Sequence, residues 1–163
     1  MTTCRLSTGG PGLAAALGWG YAMRMYSTDH AGLEILPFEE CLQLLASVPV
    51  GRVGFIADGE LVILPVNHVV DGHDVAFRTA HGSKLAATEG QHLATFEADH
   101  YNEQTHSGWS VVVTGRAEVV EAEADVHRLT RYGLHPWVTA VQHPLWIRIR
   151  PTSVSGRRTP RTQ

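Results

Sequence analysis

From Leu33 onward the apolar and polar positions of the chain fall into two regimes, one helical and the other strand-like. The helical one is "PFEECLQLLASVPV": Phe38, Cys41, Leu42, Leu45 and Val48 share a face, Pro37 suits a first helical position, and Glu39 and Glu40 sit in the first turn. A short amphipathic helix ending near Pro49 is predicted, with Cys41 acting as a small buried hydrophobe. Strand signals then follow in quick succession: "GRVGFIAD", "LVILPVNHVV", "HDVAFRTA", "HLATFEAD", "GWSVVVTGRAEVVEAE" and "PLWIRIRPTSVSGR". Asp58-Gly59 and Asp71-Gly72 supply hairpin turns between the first three. Pro65 cannot donate to a ladder, so it marks an edge or the bend at which pairing changes. Two more short helices are predicted, over "SKLAATEG" and "ADVHRLTRYG". The fold class is mainly β: a closed barrel of about six antiparallel strands with a few short helices.

Residues 1–32 have a different texture. They are rich in Gly and Ala, carry little charge and show no amphipathic period, so they read as a flexible extension ahead of a domain spanning 33–158, with a tail at 159–163. A signal peptide is the alternative for Arg5 onward, but glycines dilute the apolar stretch and no cleavage site stands out. A start codon placed ahead of the true one, at Met23 or Met25, would give the same texture. The stretch from Pro11 to Met23 is too short to span a bilayer, which takes roughly twenty apolar residues.

Charge and composition narrow the partners. Thirteen basic against sixteen acidic residues, scattered along 163, argue against a nucleic-acid surface and for a small-molecule ligand. Two cysteines, Cys4 and Cys41, without CxxC spacing give neither a disulfide framework nor a thiolate metal site, which fits a reducing cytoplasm. None of the ten histidines has zinc-site spacing, and His100 and His106 read as loop residues. "SGWS" lacks the G-x-S-x-G nucleophile elbow.

The stretch "FRTAHGSKL" carries the candidate chemistry. If a helix opens at "SKLAATEG", Ser83 is its N-cap, Gly82 lets the backbone approach a ligand, and the free N–H groups favour a phosphate. Lys84 adds a full charge and Arg78 reaches the same area from the strand end. A plain N-cap serine beside two solvated basic side chains accounts for the same letters.

With its neighbours, this stretch resembles the flavin-binding split-barrel family, in its pyridoxamine 5'-phosphate oxidase-like branch, which includes nitroimidazole-resistance-like proteins. The resemblance covers about residues 33–158. It rests on the leading helix, the "PVN" strand, "FRTAHGSKL", "GWSVVVTGRAEVV", "HPW" and the terminal "RIRPTSVSGRR", in that order. It implies a homodimer of six-stranded split barrels with FMN at the subunit interface. By position, Ser83 and Lys84 match the phosphate site, and Arg78 and Thr79 the strand end beside ribityl chain and ring. Pro65, Val66 and Asn67 match the strand facing the isoalloxazine. Trp109, Ser110 and Val111 match a segment that completes a flavin pocket, its own or that of the partner subunit. His68 stands where the family more often has an aromatic residue and is a candidate contact to flavin or substrate.

The implied activity is that of a flavin-dependent oxidoreductase on a small organic substrate. The alternative is a non-catalytic flavin-, deazaflavin- or haem-binding protein that stores, senses or protects. The family's C-terminal signature R-L-E-F-W is absent, since the chain ends "LWIRIRPTSVSGRR". Oxidation of pyridoxamine phosphate itself is therefore not expected. Independently, "GWSVVVTGRAEVV" is apolar without strict alternation over Val111, Val112 and Val113, and an outer barrel face that is also apolar calls for a second subunit.

Overall fold

The computed structural model describes residues 26–79, 92–135 and 144–160. The chain enters through a two-residue strand, β1 (Glu34–Ile35), and a helix, α1 (Phe38–Ser47). Six long strands follow: β2 (Val50–Ala57), β3 (Glu60–Asp71), β4 (Asp74–Thr79), β5 (His92–Asn102), β6 (Ser107–Val119) and β7 (Leu145–Arg158). A second helix, α2 (Glu123–Thr130), lies between β6 and β7. The predicted helix over "SKLAATEG" falls outside the described residues.

All pairings between these strands are antiparallel, in the order β1-β7-β4-β3-β2-β5-β6, and β6 pairs back onto β7 to close a six-stranded barrel. Turn chemistry sets the hairpins. Asp58 and Gly59 both have positive φ, as a two-residue turn that follows the strand twist requires, and they join β2 to β3. In the next hairpin Asp71 already pairs with Asp74, so the central residues are Gly72 and His73, with Gly72 at φ +65°.

β3 holds the barrel's irregularity. From Glu60 to Asn67 it pairs with β2; from His68 to Asp71 it pairs with β4. Along Glu60–Val66 its other edge has no strand partner among the described residues, so Pro65, opposite Arg52, costs no ladder bond on that side. The change of partner comes two residues after the proline.

Side chains alternate across the sheet, and the inward set forms one core: Val53, Phe55, Val75, Phe77, Phe96, Val111, Val113, Ile147 and Ile149 lie in it, with Leu45 and Cys41 of α1 plugging one end. Gly51 lies under the Phe96 ring, where a Cβ would collide with it. A smaller apolar cluster outside the barrel, Ala76, Val120, Leu129 and Trp146, fixes α2. Arg128 of α2 adds a two-pronged bond to the Asp71 carboxylate, at 3.1 and 2.8 Å.

Ordered structure begins ahead of position 33. The Tyr26 hydroxyl donates to Glu40 Oε2 at 2.6 Å, the Arg158 guanidinium lies 4.9 Å above the Tyr26 ring, and Arg157 pairs with Asp29 at 2.9 Å. Of the expected extension, residues 26–32 are thus docked on the end of β7, and residues 1–25 lie outside the described residues. At the other end, Thr159 continues the ladder by exchanging hydrogen bonds with Gly108. His100 is in β5 opposite Trp109, not in a loop; His106 sits in the β5–β6 turn with φ +48°. No helix among the described residues is long and apolar enough to cross a membrane.

Candidate functional site

The polar residues of the "PVN" and "FRT" stretches meet where β3 changes partner. His68 opposes Phe77, and both point into the core. One residue further, Asn67 passes to β2, opposite Val50, while Arg78 pairs with Trp146 of β7. Alternation places Asn67 and Arg78 on the outside of the barrel, on neighbouring strands. The Arg78 guanidinium lies 5.7 Å from the Trp146 ring, a cation–π contact that orients it.

Asn67 Oδ1 and Arg78 Nε are both buried and have no hydrogen-bond partner among the described residues. Each such atom costs about 1–3 kcal/mol unless something pairs with it. An acceptor and a donor left unpaired on adjacent strands could pair with a ligand that has both hydrogen-bonding characters. Thr79, opposite Leu145, follows directly at the end of β4. Ser83 and Lys84, the proposed phosphate contacts, lie outside the described residues, as does His81.

The other expected residues separate. Pro65 is exposed on the outer face, and Val66 packs on the core opposite Gly51. On β6, Val111 is fully buried in the core, so its side chain faces no outer pocket. Val112 faces outward and is half-buried, so the valine run does alternate; its outer member is simply apolar. Trp109 packs against the core at the barrel end, and Ser110 faces outward between Asp99 and Arg157. His68, a candidate contact to flavin or substrate, is 5% exposed and points into the barrel. His73 lies in the β3–β4 turn, edge-on to Phe38 at 5.0 Å.

Two clefts lie on the wall between the separated groups. β2 and β5 pair only through Arg52–Gly54, and where they diverge a cleft of about 490 Å³ opens, lined by Val50, Arg52, Asp99, His100 and Tyr101 among others. Val50 is the residue opposite Asn67. A second cleft of about 250 Å³ shares Asp99, His100 and Tyr101 and is lined on its far side by Trp109, Ser110 and Arg158. In one chain, Asn67 and Ser110 are separated by β2 and β5, roughly 14 Å at about 4.8 Å per strand. The sequence had not marked Arg52, Asp99 or Tyr101; Arg52 bridges Glu97 and Asp99 at 3.2 and 2.7 Å across the cleft.

Among the described residues no group of His, Cys, Asp or Glu could hold a metal ion. Arg158 is bound to Glu34 and Glu40 at 2.8 and 2.6 Å, so neither carboxylate is a free acid or base. The described residues thus offer hydrogen bonds, apolar walls and fixed charge around an outer belt of the barrel, without an acid–base pair set for proton transfer.

A six-stranded barrel split along β3, with its polar focus on the outer wall, is the architecture of the flavin-binding split barrels. The family model for pyridoxamine 5'-phosphate oxidase matches residues 37–158, and the chain belongs to that family. Among solved structures, the chain is similar to an FAD binding protein from Mycobacterium smegmatis: 40% identity, TM-score 0.67, covering 77% of this chain and 99% of that one. A Corynebacterium glutamicum protein, named provisionally as a pyridoxamine 5'-phosphate oxidase, gives 34% identity and TM-score 0.70 over 79% of this chain and 99% of that one. An uncharacterised protein of Mycobacterium tuberculosis is 37% identical over 74% of this chain and 81% of its own length.

Proposed function

We propose that this protein is a flavin-dependent oxidoreductase that acts as a homodimer on a small organic substrate, with FMN as its cofactor. The observation that carries the reading is the pair of unpaired buried atoms, Asn67 Oδ1 and Arg78 Nε. A flavin has the complementary groups, an N–H flanked by carbonyls on its pyrimidine ring and a hydroxylated side chain leading to a phosphate. Asn67 and Arg78 would hold the ring and ribityl chain with Thr79, and Ser83 and Lys84 would take the phosphate. Bound there, the flavin supplies the hydride and electron transfer, which is why the protein needs no catalytic acid or base of its own. What the chain contributes is orientation and the exclusion of water.

Two features of the outer wall support the dimer. Ile56, Leu61, Ile63 and Leu93 are 62–72% exposed on neighbouring strands, an apolar patch of the kind that marks an interface. Asn67 and the Trp109–Ser110 segment stand too far apart in one chain to close a single pocket, and Trp109 and Ser110 of the partner subunit would complete it. The small substrate would then lie in the cleft bounded by Val50 and Arg52. The FAD named for the Mycobacterium smegmatis protein carries the same ring, ribityl chain and first phosphate, so the same residues would serve it.

The test is the absorption spectrum of the purified protein, chromatography of the released chromophore, and anaerobic reduction by a nicotinamide cofactor. Flavin bands, FMN on extraction and reoxidation by an organic acceptor are the expected results. A Soret band, or a protein that takes up no flavin on reconstitution, contradicts the proposal; extracted FAD corrects the nucleotide and leaves the site.

A further inference from the structure

The first residue of β3 to pair with β4 is a buried histidine that does structural work at the point of change. The His68 ring lies 4.7 Å from that of Phe96, tilted by 56°. Its Nε2 is 2.9 Å from the carbonyl oxygen of Leu45 in the last turn of α1, and its backbone N–H donates to Pro49 at 3.2 Å. One bond thus runs to α1 itself and the other to the segment that joins it to β2. A carbonyl only accepts, so Nε2 carries the proton and the neutral ring presents Nδ1 as a bare acceptor. Nδ1 is buried and has no hydrogen-bond partner among the described residues.

We propose that His68 is a positioning residue: its neutral imidazole, tied to α1, holds the adjoining Asn67 against the ligand, and a proton on Nδ1 breaks that hold, so the ligand is released in acid. The proposal rests on the reading that Asn67 and Arg78 hold a flavin. The geometry supports it because β3 loses continuous pairing between Asn67 and His68, so the direction of the Asn67 side chain depends on where the His68 backbone is pinned. A leucine would fill the space but tie nothing.

An imidazolium would need an acceptor for Nδ1–H, and its surroundings offer none. The inward side chains of β2, β4, β5 and β7 around it are apolar, and His68 is the only polar or charged residue in the buried set among the described residues. The other ionisable groups in or against that core cluster are the Cys41 thiol of α1, which burial pushes up, and the Tyr26 phenol at the barrel end, which donates to Glu40. Burial holds the His68 ring below its ordinary value of 6.5, while the Leu45 carbonyl pulls the other way. With the folded value depressed, the unfolded chain takes up the proton first as pH falls. The stabilising contribution is complete above about pH 6.5 and is lost as pH drops through the folded value.

The experiment compares the full-length wild type with His68→Gln, which keeps an amide donor and gains no proton, and with His68→Leu. FMN affinity is measured by fluorescence quenching in steps from about pH 7.5 down to about pH 4.5, well below the ordinary histidine value because burial depresses the ring. In the apoprotein the side-chain amide resonances of Asn67 are followed by NMR over the same range. The FMN phosphate titrates near pH 6 for all three proteins, so the readout is the difference between them. The wild type should lose about tenfold more affinity on acidification than His68→Gln, and His68→Leu should be about tenfold weaker already at the higher pH. The Asn67 amide should shift with pH in the wild type and stay fixed in His68→Gln. Equal pH dependence in wild type and His68→Gln, or an Asn67 amide that ignores pH in the wild type, overturns the proposal. If the wild type takes up no FMN at the higher pH, the flavin reading fails, and the Asn67 titration alone decides the role of His68.

Discussion

At the scale of single residues, the proposed flavin site would make Asn67 and Arg78 trade stability for recognition, and that trade is measurable. Removing the unpaired Asn67 oxygen relieves the protein of a buried group that costs about 1–3 kcal/mol. The Asn67→Ala apoprotein should therefore melt no lower than wild type while its flavin affinity falls; a clear loss of apoprotein stability would mean that the oxygen is satisfied. Arg78→Met keeps a stem against Trp146 and removes the charge, and should weaken FMN binding about ten- to a hundredfold, the worth of one charge-assisted contact. Gly51 answers to packing alone: Gly51→Ala drives a Cβ into the Phe96 ring and should lower stability by about 1–3 kcal/mol in a urea titration. The inward direction of His68 was present in the letters. Counting by twos from Val62 through Val66 reaches His68 and leaves Asn67 on the other face, but two polar residues in succession conceal which is buried. Val112 misleads for the opposite reason, being an outward residue that is apolar.

At the scale of elements, the helix and strands follow from local sequence, whereas their attachments depend on contacts between distant residues. The six long strands and α1 and α2 stand where apolar spacing and the Asp58-Gly59 turn put them, while the second hairpin turns one residue later than expected, on Gly72 and His73. Docking of residues 26–32 was not legible, because it depends on Tyr26 and Asp29 meeting Glu40, Arg157 and Arg158 from the far end of the chain. Deleting residues 1–25 should leave the melting temperature unchanged, while deleting 1–30 should lower it by about 3 °C or more. Equal melting of the two truncations in a calorimeter would show that the docked segment contributes nothing. The hold of α2 on the β3–β4 hairpin has a pH signature. Hydrogen bonds from Arg128 keep the Asp71 carboxyl below its ordinary 3.8, so that attachment is complete above this value and weakens as pH falls through the lower, folded one. Asp71→Asn should lower the melting temperature at neutral pH and lose its difference from wild type in strong acid.

At the scale of the molecule, the barrel closes its core within one chain and leaves its outer wall unfinished, with an apolar patch and two groups of candidate residues that one subunit cannot join. A sequence lists such residues in order without saying which copy supplies them, so how the groups come together could not be read from it. If the protein is the proposed homodimer, Leu61→Lys with Ile63→Lys should give a monomer in light scattering at micromolar concentration, and flavin should be lost with it. A monomeric wild type would remove the partner's share of the site. The account as a whole stands on the outer wall at Asn67 and Arg78 being a flavin site, and calorimetric titration of FMN into the apoprotein tests this most directly. It predicts saturation at one flavin per chain in the wild type and a loss of about tenfold or more in affinity in Asn67→Ala with Arg78→Met; saturation with undiminished affinity in that double variant would place the flavin elsewhere and contradict the account.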